Sequence, residues 1–211
     1  MSTAVDICNL ALNRLGDSAT LVSLDPPEGT PQADHCARFY PLARREMFEV
    51  HNWTFLMARE KLAERSDIDT HGWQYVYALP QRMIHAVRLG REGDVDFRDA
   101  ERFVIENDER GQRVLYTDCP NAVLRFTRDT EDTSNFSPGF IDALAWLLAS
   151  HLAGSMISGL AGAKQSATCI NFYKETLANA IKRDAQQQRV LMPAYPYWLK
   201  HFNYRELHGD H

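Results

Sequence analysis

Apolar positions along the first fifty residues recur at helical spacing. Val5, Cys8, Leu12 and Leu15 stand 3, 4 and 3 apart, one face of a helix. Thr3 is placed to cap that helix and Gly16 to close it. Residues 17 to 30, with Asp25-Pro26-Pro27-Glu28-Gly29, read as a loop. Thr30-Pro31 opens a second helix in which Ala33, Cys36, Tyr40, Ala43, Met47 and Val50 keep the helical period. Pro41 lies inside it and predicts a kink or two stacked segments, because proline removes a ladder hydrogen bond.

The period changes at Asn52-Trp53-Thr54-Phe55, where an amphipathic charged helix gives way to strand-like sequence. Tyr75–Leu79, Ile84–Leu89, Phe103–Glu106, Arg113–Thr117 and Ala122–Thr127 are short, rich in β-branched and aromatic residues, and bounded by turn residues. Asp108-Glu109-Arg110-Gly111 and Cys119-Pro120-Asn121 read as hairpin turns. Helix returns at Ser137-Pro138, with Phe140, Leu144, Leu147 and His151 on one face and Gly159 and Gly162 ending it. A fourth helix runs from about Ala163 to Gln188, its face carried by Ala167, Ile170, Tyr173, Leu177 and Ile181.

The predicted fold class is α+β. It is an antiparallel-type four-helix bundle with a small, mostly antiparallel β-sheet inserted between helices 2 and 3, and an extended C-terminal arm. The divisions are residues 1–52 for the first two bundle helices, 53–136 for the β region, 137–190 for the last two helices and 191–211 for the arm. In that arm Tyr195, Tyr197, Trp198, Phe202 and Tyr204 crowd together while Pro193 and Pro196 oppose regular helix. Tyr and Trp are favoured interface anchors, so these five residues read as a docking arm for a groove on another subunit, beside the alternative of a tail folded back over its own bundle.

Composition adds a partner constraint. The formal net charge is −5, which argues against strong binding to a phosphate backbone through the surface as a whole. Residues 91 to 132 hold 7 basic and 12 acidic side chains, so the entire excess lies in the β region. The four cysteines are dispersed, which fits a reducing compartment better than a disulfide framework. The N-terminus lacks the pattern of a signal peptide. Ala143 to Ala163 carries no formal charge, but its serines, glycines and His151 favour a buried helix over a membrane span.

Nucleotide-loop, nucleophile-elbow and zinc-protease motifs do not occur, and no catalytic, cofactor or metal residues are assigned. His35-Cys36 are adjacent on a helix and so diverge, and His208 and His211 lie at the terminus. His51 beside Glu49, and Asp67-Ile68-Asp69, read as solvated or capping groups. His151 reads as a hydrogen-bonded core histidine, with a pH-sensitive contact as the minority alternative.

Asp6-Ile7-Cys8-Asn9-Leu10-Ala11-Leu12-Asn13-Arg14-Leu15-Gly16 is followed by Leu24-Asp25, then Ala37-Arg38-Phe39-Tyr40-Pro41, Arg44-Arg45-Glu46-Met47 and Asn52-Trp53-Thr54-Phe55. This succession resembles the tail tubular protein A family, the head-to-tail adaptors of short-tailed bacteriophages. The resemblance is strongest over residues 5 to 62. It implies a non-enzymatic virion protein at the portal vertex, assembled in the host cytoplasm. It also implies a ring, typically of twelve copies, between the portal protein and the tail nozzle protein, with DNA passing through the centre without sequence-specific binding.

In that picture Trp53 and Phe55 form a structural junction in the core. The acidic residues Asp94, Asp96, Asp99 and Glu101 line or flank the DNA channel, where negative charge keeps DNA from sticking. Two alternatives stand beside the adaptor. One is a neck or head-completion protein of a long-tailed phage. The other is a phage-delivered cell-wall hydrolase, which would need paired carboxylates such as Glu106 with Asp118.

Overall fold

The computed structural model describes residues 2–93 and 100–187. In chain order these form α1 (Ala4–Arg14), α2 (Pro31–Glu49), a 3-10 turn (Thr54–Leu56), β1 (Met57–Lys61), β2 (Tyr75–Ala78), β3 (Met83–Arg91), β4 (Phe103–Asn107), β5 (Arg113–Thr117), β6 (Ala122–Arg128), α3 (Pro138–Met156) and α4 (Gly159–Gln187).

Helix α1 starts in a reciprocal capping box. The Asp6 amide donates to Thr3 Oγ1 at 3.1 Å and the Thr3 amide donates to the Asp6 carboxylate at 2.8 Å. These bonds hold the Asp6 carboxyl below its ordinary range. The helix buries Ile7, Cys8, Ala11 and Leu12. Helix α2 is capped by Thr30 and remains helical through Pro41 to Glu49. Its Cys36 thiol faces that of Cys8, and this contact and burial push the Cys8 thiol up.

Helix α3 organises the helical part. It buries Phe140, Leu144, Leu147, Leu148 and Leu152 together with Ala143, Ala145, Ala149, Ser150 and Ala153. Such residues surround the helix rather than forming one stripe, so α3 must be covered on several sides. α1, α2 and α4 all pack on it, while α1 and α2 touch each other little. Among the described residues, by length and composition α3 alone passes for a membrane span, but more than half of it is buried among these neighbours.

The four-helix bundle with one inserted sheet is therefore not the fold. Helices share α3 as a hub instead of contributing equal stripes to a common seam, and the strands form two sheets. Sheet I has the order β1-β6-β3 and sheet II the order β2-β5-β4, all pairs antiparallel. The β1 strand, absent from the strands read in the sequence, pairs with β6 from Met57↔Thr127 to Lys61↔Val123. Leu89, Leu124 and Phe126 of sheet I meet Tyr77 and Leu115 of sheet II in a core separate from that of the helices.

Turn chemistry explains why one sheet becomes two. Pro80 and Arg82, the latter at φ 57°, carry the chain from β2 in sheet II to β3 in sheet I. Cys119-Pro120-Asn121 is likewise a crossover from β5 to β6, not the expected hairpin; Asn121 has φ 49°. Asp108 to Gly111 does close a hairpin, between β4 and β5, with the Asp108 amide donating to Gln112 O at 2.8 Å.

Helix α4 also departs from the expected pattern. It begins at Gly159, and its buried residues are Gly162, Cys169, Tyr173, Ala180 and Asp184. Ala167 and Ile170 are exposed, because a 29-residue helix laid on one neighbour buries only a narrow strip. His151 is half-buried, not a satisfied core histidine. Its Nε2 lies 3.4 Å from Glu46 Oε2, close enough for ion pairing but misaligned for a hydrogen bond. Its ring stacks on Phe39.

Gly162 permits the tight passage from α3 into α4. A Cβ there would stand 2.1 Å from the Ile157 carbonyl oxygen. Gly162→Ala is therefore expected to destabilise the protein by about 1–3 kcal/mol through overpacking. Thermal unfolding checks this; an unchanged Tm would mean that the turn has room that the geometry denies.

Candidate functional site

Among the described residues no cleft with convergent catalytic groups stands out, and the informative places are a joint and two charged faces. The joint lies where the chain leaves α2 and where it enters α3. Trp53 is fully buried and its Nε1 donates to Met47 O at 2.6 Å. Its ring meets Phe140 edge-on at 5.0 Å and stacks near Phe55 at 6.0 Å. Phe55 in turn contacts Phe136 and Phe140, and Phe48 closes the cluster. Residues separated by more than eighty positions thus form one aromatic knot.

Asp184 near the end of α4 pins this knot from outside. Its carboxylate is buried and accepts the Thr54 amide at 3.1 Å, at the start of the 3-10 turn. His51 Nε2 lies 3.1 Å from the same carboxylate, and the His51 ring meets Trp53 edge-on. So His51 does not sit loose beside Glu49; it belongs to a joint with a helix 133 residues later. Nothing in its local sequence signals that partner.

Three further ties fix the elements. Arg14 lies 4.2 Å over the Trp146 ring, donates to Asp142 O at 2.7 Å and pairs with the Asp142 carboxylate, joining α1 to α3. Asn9 bridges to Leu21 both ways, donating to its carbonyl at 3.0 Å and accepting its amide at 2.7 Å. Arg44, buried in α2, reaches Asp129 just beyond β6 at 3.4 Å, with Arg45 at 3.8 Å from the same carboxylate. That pair links the helical part to sheet I.

The outer face of sheet I is basic. Register places Arg59 of β1 and Arg88 of β3 on either side of Arg125 of β6, one row across three strands. Lys61, His85 and Thr127 share the face by the same register. Lys61 is ion-paired with Glu92 at 2.6 Å, and Glu60, its neighbour in β1, lies 3.9 Å from Arg128. Burial and the neighbouring Arg59 and Arg88 charges push the Arg125 guanidinium below its ordinary range.

The outer face of sheet II is acidic. Val76, Val114 and Tyr116 form a small cluster there, covered by Ile68 and Trp73. Burial, and then the charges of Glu106, Asp108, Asp69 and Glu109, push the Tyr116 phenol up. Asp67 pairs with Arg65 at 2.8 Å and lies 3.8 Å from Arg110, which holds its carboxyl down at about 2, the Arg65 bond first. The two faces point away from the shared core on different sides of it.

The remaining sequence candidates are placed as follows. Glu101 is half-buried and accepts from Arg91 Nε at 2.9 Å, an ion pair beside β3. Asp94, Asp96 and Asp99 lie outside the described residues, as do Tyr195, Tyr197, Trp198, Phe202 and Tyr204, and His208 and His211. His35 stacks on Phe39 while Cys36 is buried. Among the described residues no three His, Cys, Asp or Glu side chains converge as a metal site. A surface cleft of about 660 Å³ between Lys61, Leu79, Arg82 and Arg128 has mixed charge and an open form.

Glu106 and Asp118 do not make a carboxylate pair. Glu106 stands opposite Val114, four residues from Asp118 along β5. At about 3.4 Å per residue this is ~14 Å, beyond the ~5–9.5 Å separation of glycosidase carboxylates.

The joint generates a stability test. Asp184→Asn keeps the side-chain shape but removes the charge that faces His51 and accepts from Thr54. It is expected to cost about 1–3 kcal/mol, while Trp53→Ala costs about 3–5 kcal/mol by emptying the knot. Urea unfolding measures both, and a midpoint equal to wild type for Trp53→Ala would contradict the knot's importance. Neither a protein-family model nor a curated protein matches this chain.

Proposed function

We propose that this chain is a structural head-to-tail adaptor of a short-tailed bacteriophage. It forms a ring that joins the portal protein to the tail nozzle and passes DNA through its centre. What supports the reading is the use made of the residues that carry the resemblance. Asn9 clamps the first loop, Arg14 ties α1 to α3, Arg44 ties α2 to sheet I, and Trp53 and Phe55 build the aromatic knot. Each is committed to holding elements together, as in a load-transmitting joint, and none converges on a substrate cleft.

The portal and the nozzle would meet the chain from opposite sides of the ring, and a neighbouring copy would complete each subunit's contacts. The aromatic residues Tyr195, Tyr197, Trp198, Phe202 and Tyr204 supply the portal or neighbour anchors in this reading. Asp94, Asp96, Asp99 and Glu101 supply negative charge beside the DNA path, with Glu101 acting through its pair with Arg91.

Electron microscopy of the chain mixed with purified portal rings is the direct test. The expected result is a second ring seated on the portal; portal rings that stay bare would overturn the adaptor reading. Deleting residues 192–211 is expected to leave the circular dichroism spectrum and unfolding midpoint near wild type while abolishing co-sedimentation with portal. A truncated chain that co-sediments at wild-type level removes the docking role from the tail.

A further inference from the structure

A pocket of about 200 Å³ opens where the helical part meets both sheets. α2 contributes Arg45 and Glu49, the turn before β3 contributes Arg82, β5 contributes Arg113, and Asp129 beyond β6 completes the charged lining. Met83 and Ile84 also line it; Met83 packs on the core between the sheets and Ile84 on the core of the helices. The pocket therefore lies over the seam between the two cores. Strand alternation brings Arg113 there: Leu115, on the same side of β5, faces the sheet core, while Val114 belongs to the outer cluster.

The charges at this seam do not cancel. Asp129 is shared by two guanidiniums, Arg44 just outside the lining at 3.4 Å and Arg45 at 3.8 Å. Arg44 is 8% exposed, and its Nε has no acceptor among the described residues. The side chains of Arg82 and Arg113 have no hydrogen bond or ion pair among the described residues. Glu49 supplies the second carboxylate. Four guanidiniums thus stand against two carboxylates, an excess equal to one dianion. Arg82 is also conformationally marked. The Asp129 amide donates to its carbonyl at 2.8 Å, and its φ of 57° lies in the left-handed region. A long side chain rarely takes that backbone, and such strain gathers at ligand clamps.

We propose that this pocket binds a phosphate group, which bridges α2 to both sheets. Each guanidinium offers a planar fork of donors that matches phosphate oxygens in pairs. A concave site with an excess of positive charge also raises the local anion concentration. Free phosphate or a terminal phosphate, with a charge of about −1.5 to −2, balances the excess; the diester of a nucleic-acid backbone, with about −1, does not. The volume falls below the roughly 300–1,000 Å³ of sites for drug-sized ligands, so one small oxyanion fits it better than a nucleotide. Phosphate bound there needs neither ring nor portal, and the site stands apart from the adaptor reading.

The test titrates inorganic phosphate into the full chain by isothermal titration calorimetry, with chloride keeping the ionic strength constant. Wild type is expected to bind one phosphate saturably. R82Q/R113Q, with a wild-type circular dichroism spectrum, is expected to bind at least about tenfold more weakly, having lost two charged donors. E49Q removes an opposing charge from the same lining and is expected to bind more tightly than wild type. This second variant keeps the test decisive if R82Q/R113Q does not fold. Thermal unfolding gives an independent reading. Exclusion of phosphate from the surface raises the Tm of every variant alike, so a larger rise in wild type than in R82Q/R113Q reports the site.

An absence of saturable binding overturns the proposal, and so does a phosphate isotherm that R82Q/R113Q and E49Q both leave unchanged. Duplex DNA that binds through Arg82 and Arg113, where inorganic phosphate does not bind, assigns the pocket to a backbone diester and overturns it as well.

Discussion

The architecture hangs on the burial of one indole. Trp53 fills the space where the chain leaves α2 and where, more than eighty residues later, it enters α3. Its nitrogen is satisfied by Met47 O, so the ring can be buried without an unpaired donor. Around it Phe48, Phe55, Phe136 and Phe140 interlock, and Asp184 clamps the following turn through the Thr54 amide. Both ends of the β region are thereby held at a single place. The direction in which the two sheets leave the helices is set there and reinforced by Arg44 with Asp129.

From that joint the structure divides its labour. The helices pack around α3, whose apolar surface is too broad for one neighbour to cover. The sheets pack on each other around Leu89, Leu115, Leu124 and Phe126 and owe little to the helices for their core. A polar tie between Arg44 and Asp129 joins the two cores. Charge is then sorted on the outer surfaces of the β region, basic beyond sheet I and acidic beyond sheet II. The basic side draws mainly on β1 and β3, so the acidic excess of residues 91–132 does not describe it.

What was legible followed local rules. The Thr3 cap, the Thr30-Pro31 start, the Ser137-Pro138 start and the Asp108–Gly111 hairpin each rest on contacts within a few residues, and each forms. The β1 strand leaves little trace in the sequence because Met57–Lys61 alternates weakly and is half exposed at a sheet edge. Ala167 and Ile170 fit the helical period of α4, yet α3 covers the strip centred on Cys169 and Tyr173. Crossover and hairpin turns share the same residues, so Cys119-Pro120-Asn121 looked like a return within one sheet.

The sequence by itself determined where helices begin, where the period switches at Asn52–Phe55, and which residues are apolar enough to be core. These are properties of neighbouring side chains and backbone, and they need no partner from elsewhere in the chain. Only the tertiary structure decided that α3 is a hub, that six strands make two sheets, that Asp184 meets His51 and Thr54, and that three arginines line up across β1, β6 and β3. Each of these joins residues far apart in the chain, and strand register and helix rotation are settled by burying surface collectively, which no local window of sequence encodes.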